Sequence, residues 1–276
     1  MSKKLALLIG CNYENTDNKL QGCINDIKIM RKYLITQANY DKNDIIVLRD
    51  DLEEFEQPTR ENILLKLQYL VEQANIPANN ITELFLHFSG HGNNDLVDKY
   101  SNLEITGEID KKNEYIFSSD LNIVVDNEIR YILKDLSSNI PMYIVMDCCH
   151  SGTNIDLPYA YDIKNGKLRK IQDNSNKIID YRDKKIYSIS GCTDYQTSLD
   201  GGQYKPFDDP DDINFSILPN KRKGGLLTSK LIPLLNSGYT FFNCLARLRN
   251  DVRKYSNNTQ EPLLNSSEQI NVKQKK

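Results

Sequence analysis

The sequence MYIVMDCCHSG, residues 142–152, decides the fold and points to the chemistry of this protein. Residues 143–146 are a short apolar run rich in residues that favour strands, which predicts a buried strand of a parallel sheet. The run ends abruptly in Asp147, Cys148, Cys149 and His150. Open α/β sheets hold ligands at the carboxyl ends of such strands, so these polar groups are candidates for a functional site.

A second stretch has the same form. Residues 84–88 are an apolar run interrupted by one histidine, and the sequence Ser-Gly-His-Gly follows at residues 89–92. The carboxyl ends of parallel strands meet at one edge of a sheet, so this histidine and the cysteine pair are predicted to be neighbours. The leading hypothesis for the function is therefore chemistry performed by a cysteine and a histidine at these two strand ends.

The rest of the chain predicts an α/β fold. Further strands are expected at residues 5–10, 44–48, 115–117 and 185–190, and helices at residues 23–34, 58–74, 126–136, 225–235 and 241–255. This alternation is typical of a mostly parallel sheet covered by helices on both faces. Residues 153–184 lack periodicity and predict a long basic loop, whereas residues 256–276 predict a polar tail.

Composition excludes several classes of protein. The 276 residues are 39% hydrophobic and 26% charged, with a net charge of −3, so the chain can form a core and shows no sign of binding nucleic acid. No segment approaches the roughly 20 apolar residues that span a membrane. The six cysteines are scattered and no signal core is evident, which predicts a cytoplasmic protein with reduced thiols. Cys11 and Cys244 are interpreted as packing residues.

The nucleophile is predicted to be Cys149, with His91 as its base. A thiol attacks a carbonyl as the thiolate, and an imidazole can take its proton. Side chains alternate along a strand, so Cys148 faces away from Asp147 and Cys149. The amides of Gly92 and Cys149 are candidates for an oxyanion hole. A zinc site is disfavoured, because adjacent cysteines and strand-borne histidines do not have zinc-ligand spacings.

An acidic pocket is predicted beside this pair. Asp147 lies two residues before Cys149, where its carboxylate would favour a substrate with an Arg or Lys side chain. Asp26, at the start of the first predicted helix, is a candidate second carboxylate. The alternative for Asp26 is an exposed acid that stabilises the helix N-terminus.

The ordered motifs of this chain closely resemble those of the metacaspases, a family of caspase-like cysteine peptidases. They are ALLIGCNY (6–13), LQGCIND (20–26), PTRENIL (58–64), HFSGHG (87–92), DCCHSG (147–152), DLPY (156–159), SGCTDYQTS (190–198) and QEPLLNSS (260–267). The resemblance implies a caspase-like three-layer α/β sandwich, a dyad of His91 and Cys149, and cleavage of protein substrates after Arg or Lys. It also implies a specificity pocket formed by Cys23, Asp26, Ser89 and Asp147, and a monomer.

The resemblance further implies a division of the chain within one compact domain. Residues 1–163 correspond to a large-subunit-like part with the dyad, and residues 185–276 to a small-subunit-like part. The basic interdomain loop, residues 164–184, is where such proteins cut themselves. The candidate autocleavage residues are Lys164, Lys167, Arg169 and Lys170. The alternative is a solvated linker that is never processed.

Calcium activates many members of this family through four aspartates. The aligned positions here are Asn113, Asp126, Asn127 and Asp156, so two ligands have lost their charge. Affinity for a hard cation follows the charge of its ligands, which predicts weak or absent calcium activation and no required cofactor. Two other functions remain open at this point: a catalytically silent caspase-like binding module, and a more distant peptidase of the legumain type, against which the motif at 190–198 argues.

Overall fold

The computed structural model describes residues 2–96, 112–148, 155–178, 180–191, 202–203 and 223–270. The elements in chain order are β1 (Lys3–Gly10), α1 (Cys23–Thr36), β2 (Ile45–Arg49), α2 (Arg60–Asn75), β3 (Ile81–Ser89), β4 (Gly92–Leu96), β5 (Lys112–Phe117), β6 (Ile123–Val125), α3 (Asp126–Leu133), β7 (Pro141–Asp147), β8 (Tyr159–Lys164), β9 (Lys167–Asp173), β10 (Lys185–Ser190), β11 (Gly202–Gln203), β12 (Lys223–Gly224), α4 (Leu226–Asn236), α5 (Leu245–Tyr255) and β13 (Leu263–Ser266).

Within the described ranges, eight strands form one sheet in the order β2-β1-β3-β7-β10-β13-β8-β9. The strands from β2 to β10 are parallel, and β13, β8 and β9 continue the sheet antiparallel. Strand β7 lies between β3 and β10, which confirms the prediction of a central parallel strand at residues 143–146. Because β7 pairs with β10, one sheet joins the predicted large and small parts.

Helices cover both faces of this sheet. Along β1, Leu7 and Ile9 pack into the layer of α2 and α3, whereas Ala6 and Leu8 pack into the layer of α1, α4 and α5. Full burial of a leucine side chain contributes roughly 2 kcal/mol, so this alternation fixes the register of the strand. The predicted caspase-like α/β sandwich is confirmed.

A small antiparallel sheet holds the segment that follows β3. Strand β4 begins at Gly92 and pairs with β5, and β5 pairs with β6. The N–H of Phe117 on β5 donates to the carbonyl of His91 at 3.0 Å. The position of His91 is therefore fixed from two sides, by the end of β3 and by the small sheet.

The prediction of a loop at residues 153–184 was wrong for much of its length. Strands β8 and β9 form a hairpin, with Lys164 opposite Lys167. Asn165 and Gly166 connect them with φ values of 53° and 72°, the left-handed conformation that tight hairpin turns require. The Asn-Gly pair was the signal of this turn in the sequence.

The prediction of a polar tail at residues 256–276 was also wrong for the strand at Leu263–Ser266, and residues 271–276 lie outside the described residues. Strand β13 lies inside the large sheet between β10 and β8. Its polar residues Asn265 and Ser266 are buried. Ser267, just beyond it, accepts from the N–H of Ile186 and donates to the carbonyl of Lys184. Buried polar side chains in this segment are satisfied by hydrogen bonds, so the strand lacks the apolar pattern from which a buried strand is usually predicted.

Two helices are at least three residues shorter than predicted. Helix α3 ends at Leu133, and α5 begins at Leu245 instead of residue 241. Among the described residues, no helix has both the length and the apolar composition needed to cross a bilayer.

Candidate active site

His91 lies just beyond β3, at the carboxyl edge of the parallel strands. Its main-chain N–H donates to the hydroxyl of Tyr13 at 2.8 Å. Its ring Nε2 lies 2.6 Å from the carbonyl oxygen of Asn18. A carbonyl can only accept, so Nε2 carries a proton and donates it to Asn18. Nδ1 is then the ring nitrogen that can take a proton from a neighbouring thiol.

Tyr13 is a positioning residue that the sequence analysis did not single out. Its ring centroid lies 4.7 Å from that of His91, and its hydroxyl donates to the carbonyl of Phe117 at 2.8 Å. Asp50 holds the main chain of Tyr13 by accepting from its N–H at 2.6 Å. Burial raises the pKa of Tyr13 well above its usual value, so the phenol stays a hydrogen-bond donor. The signal was its position, because Tyr13 lies only three residues beyond the carboxyl end of β1.

The structure describes only Cys148 of the two cysteines that follow β7. Cys148 is fully buried in the core layer of α2 and α3. Asp147 faces the opposite layer, where it contacts α4. The predicted alternation of these two side chains is therefore confirmed. Cys149 lies outside the described residues, so its pairing with His91 and its part in an oxyanion hole with Gly92 stay predictions.

The acidic pocket, defined as Cys23, Asp26, Ser89 and Asp147, lies at the same edge of the sheet. All four residues are buried, and Asp26 is completely inaccessible. The hydroxyl of Ser89 donates to Asp26 at 2.6 Å. Cys23 lies one helical turn before Asp26 on α1, so the two share a helix face. The alternative of an exposed helix-terminal acid at Asp26 was wrong.

The N-terminus of α4 donates hydrogen bonds to both pocket carboxylates. The N–H of Gly225 lies 3.0 and 2.9 Å from the two oxygens of Asp26. The N–H and the hydroxyl of Thr228 each donate to Oδ2 of Asp147 at 2.8 Å. A Cβ at residue 225 would collide with the carboxylate of Asp147, so only glycine fits there. Sequence reasoning missed both donors, because 199 residues separate Gly225 from Asp26.

His87 also belongs to the hydrogen-bond network around Asp147. His87 is the histidine that interrupts the apolar run of residues 84–88; it is fully buried, and burial lowers its pKa to about 3. Its Nε2 lies 3.2 Å from the hydroxyl oxygen of Thr228. The single proton of that hydroxyl goes to Asp147, so the neutral ring donates from Nε2 to Thr228. His87 and Thr228 thus fix the orientation of Asp147.

A second acidic group lies on the other side of the sheet. The carboxylate cluster, defined as Glu114, Asp126 and Asp156, brings one oxygen from each residue within 4.8 Å of the others, and all three are buried. Nη1 of Arg130 lies 3.8 Å from Asp156. Three oxygen donors fit a hard cation such as calcium, whereas the arginine already supplies one positive charge.

The predicted calcium ligands are only partly found in this cluster. Asp126 and Asp156 belong to it, and the side chain of Asn113 lies outside the described residues. Glu114, the neighbour of Asn113, supplies the third carboxylate. Asn127 donates its N–H to Asp126 at 2.7 Å. Glu114 was not among the predicted ligands, and the four predicted calcium ligands stay a prediction.

The comparison with known families identifies the chain. A model described as "Metacaspase, peptidase C14 domain" matches residues 4–158, which is more than half of the sequence. The chain belongs to the metacaspase family. It is 39% identical over 168 residues to metacaspase-1 of Yarrowia lipolytica and 35% identical over 156 residues to metacaspase-9 of Arabidopsis thaliana. These matches cover 59% and 56% of this chain, and 34% and 46% of the two relatives.

Solved structures share the fold at low sequence identity. Caspase-1 of Spodoptera frugiperda superposes with a TM-score of 0.53 at 11% identity, over 96% of this chain and 86% of the other. The protein GSU0716 of Geobacter sulfurreducens gives a TM-score of 0.59 at 19% identity, over 98% and 95%. Both comparisons show the caspase-like fold of this metacaspase and nothing about its chemistry.

The candidate autocleavage residues of this metacaspase lie on the β8–β9 hairpin rather than in a loop. Lys164 and Lys167 flank the turn, and Arg169 pairs with Asp162 on the neighbouring strand. Lys170 contacts Asp173 at 2.7 Å. A peptidase binds its substrate in an extended conformation with free main-chain groups, so paired strands resist cleavage. Autocleavage at these residues remains a prediction that requires the hairpin to open.

Proposed function

We propose that this metacaspase is a cysteine endopeptidase that cleaves proteins after Arg or Lys. The observation that carries the proposal is the pairing of Asp26 and Asp147 in one buried pocket at the edge that holds His91. The donors that the structure shows to these carboxylates are uncharged hydroxyl and amide groups. These hydrogen bonds orient the two carboxylates, and charge-assisted bonds to carboxylates are among the strongest that an Arg or Lys side chain can form.

His91 and Cys149 perform the proposed chemistry. Nδ1 of His91 takes the thiol proton, and the thiolate sulfur of Cys149 bonds to the carbonyl carbon before the cleaved bond. The amides of Gly92 and Cys149 receive the negative oxygen. The C–N bond breaks as the imidazolium returns its proton to the leaving amine. Water, deprotonated by the same imidazole, then hydrolyses the thioester.

Three of the other described cysteines are poor nucleophiles. Burial raises the pKa of Cys11 well above its usual value and that of Cys244 to about 12, so their thiolates are rare at neutral pH. Cys148 is fully buried in the core. These observations support the assignment of the nucleophile to Cys149, which was made from strand alternation.

Calcium has at most a weak effect in this proposal. Arg130 supplies a positive charge beside Asp156 and also contacts Asp180 at 2.8 Å. It therefore offsets part of the repulsion among three buried carboxylates that a metal ion would otherwise relieve. We also propose that the protein acts as a cytoplasmic monomer, as the family resemblance implies.

The test is cleavage of three fluorogenic peptides that differ only in Arg, Lys or Asp before the reporter group. The proposal predicts turnover of the Arg and Lys peptides and none of the Asp peptide. Cys149→Ala should abolish turnover, whereas Cys148→Ala, a matched cysteine change one position away, should retain it if the variant folds, which circular dichroism reports. Binding of a peptide without turnover by the intact protein would favour the silent binding module.

A further inference from the structure

A cavity of about 490 Å³ opens at the opposite edge of the large sheet, among the amino ends of β3 and β7. Its walls are mostly aromatic and come from α1, β3, β7 and the segment after α4: Tyr33, Tyr40, Phe85, Tyr143, Tyr239, Phe241 and Phe242. Glu83 is the carboxylate of the lining. A strand rises about 3.3 Å per residue, which puts Glu83 about 20 Å from Ser89 of the acidic pocket. The cavity is thus separate from the candidate active site.

Glu83 brings a negative charge to the cavity lining, and Lys4 balances part of that charge from outside the lining. The hydroxyl of Tyr40 donates to Oε1 of Glu83 at 2.9 Å. Burial, and next the negative charge of Glu83, raise the pKa values of Tyr33 and Tyr143 above their usual range. The phenols therefore stay neutral, and their ring faces add the negative side of their quadrupoles. Aromatic faces around one carboxylate are the arrangement that recognises ammonium groups with apolar substituents.

The protein already holds one ammonium group against this wall. Nζ of Lys4 lies 3.2 Å from Oε1 of Glu83 and 5.3 Å from the ring centroid of Tyr40. It also donates to the carbonyl of Ala38 at 2.9 Å. Lys4 is not part of the cavity lining, so its ammonium contacts the Tyr40–Glu83 pair from outside and leaves the cavity open.

We infer that this cavity binds an organic cation of the quaternary or methylated ammonium class. Its volume lies within the range of small-molecule sites, which is about 300–1,000 Å³. Burying an apolar cation against several rings replaces its weak hydration with cation–π contacts, whereas a strongly hydrated primary ammonium gains less. The ligand could be a free small molecule or a methylated lysine side chain of a protein, and the two share this chemistry.

The first test is isothermal titration of the intact protein with choline, Nε-trimethyl-lysine and 3,3-dimethylbutanol, the neutral isostere of choline. We expect at least one cation to bind about tenfold more tightly than the neutral isostere. Tighter binding of trimethyl-lysine than choline would indicate a protein-borne ligand, and the reverse order a free molecule. No binding of either cation, or equal binding of the isostere, would overturn the inference.

The second test locates the site with charge variants of opposite sign. Glu83→Gln keeps a hydrogen-bond acceptor for Tyr40 but removes the charge, so it should weaken cation binding at least about fivefold. Lys4→Met removes a competing cation and should strengthen it. Glu72→Gln, at an exposed position of α2, is the matched control and should change nothing. Unchanged affinity in both cavity variants would contradict the assignment.

A fluorescent variant tests whether the cation binds in this cavity. The chain has no tryptophan, so Tyr239→Trp at the half-buried rim introduces a single fluorophore and keeps an aromatic face. Saturation by the tighter cation should change its emission at the affinity found by titration. An emission that stays constant at saturation would place the binding elsewhere. Peptidase activity should be the same in Glu83→Gln and in the unchanged protein, because the cavity lies away from the dyad.

Discussion

The acidic pocket and the carboxylate cluster both bury carboxylates, but different groups stabilise them. In the pocket, Asp147 accepts two hydrogen bonds from Thr228, which carries no charge. In the cluster, Asp156 lies beside the guanidinium of Arg130. Burying an ionised carboxylate costs several kcal/mol unless hydrogen bonds or an opposite charge offset that cost, and each region offsets it in one of these ways.

This difference decides what each region can bind. The hydrogen bonds described for Asp26 and Asp147 come from uncharged groups, and in the proposed function a cationic side chain of the substrate forms a charge-assisted bond with them. A permanent cation such as Arg130 cancels part of the field that would attract a metal ion. The proposed function assigns the pocket to recognition of a cationic side chain, whereas the ion pair of Arg130 with Asp156 contributes to the stability of the cluster. The predictions below test this contrast.

The largest effect is expected from Asp147→Asn. The change keeps the shape of the side chain but removes one of the charges that pair with a substrate arginine. Loss of a buried charge partner costs about 4 kcal/mol, so kcat/KM for the Arg peptide should fall about 1,000-fold. Initial-rate kinetics measure this. Asp173→Asn, an exposed carboxylate on the β8–β9 hairpin, is the control and should leave kcat/KM unchanged.

Arg130→Met tests the second region. Removing one partner of a buried ion pair leaves the carboxylates uncompensated, so the free energy of unfolding should fall by about 3 kcal/mol in urea titrations. Millimolar calcium should restore much of this loss in the variant but add little to the unchanged protein. Strong stabilisation or steep activation of the unchanged protein by calcium would show that Arg130 does not substitute for the metal.

Thr228→Val removes the hydroxyl that orients Asp147 but keeps the size of the side chain. Loss of one donor to a buried carboxylate should lower the free energy of unfolding by about 2 kcal/mol. It should also lower kcat/KM for the Arg peptide by the factor that corresponds to the same energy. Thr228→Ser retains the hydroxyl and should recover most of both losses. Equal defects in the two variants would indicate a packing role for the methyl group instead.

The smallest effect concerns pH and His87. Its folded-state pKa of about 3 lies below the ordinary value near 6.5, so protonation favours the unfolded state. Stability from this residue is complete above pH 6.5, and about 1 kcal/mol should be lost between pH 6.5 and 5.5. His87→Gln, which does not titrate, should flatten this part of the stability profile by that amount. Identical profiles for the two proteins would exclude His87 as the source.

Most of the fold could be predicted because its parallel strands have continuous apolar runs. Strand β13 could not, because its buried Asn265 and Ser266 break that pattern. The β8–β9 hairpin was missed because its exposed strand β9 carries three basic residues and no apolar run, and the Asn165–Gly166 turn was overlooked.

In the candidate site too, some residues could be predicted from the sequence and others could not. Residues at strand ends, such as His91 and Asp147, could be predicted because topology brings those ends together. Residues that act through distant contacts could not: Thr228 lies 81 residues from Asp147 along the chain, and Tyr13 lies 78 residues from His91. Nothing local in the sequence indicates which helix N-terminus will face a buried carboxylate.

The most direct test of the central claim compares two peptides with the same sequence, one with arginine and one with citrulline before the cleaved bond. Citrulline has nearly the same shape as arginine but no charge. If Asp26 and Asp147 keep their negative charge for the substrate, kcat/KM should be at least about 100-fold higher for the arginine peptide. Equal cleavage of both peptides would show that the pocket reads shape alone, and the account of its electrostatics would be wrong.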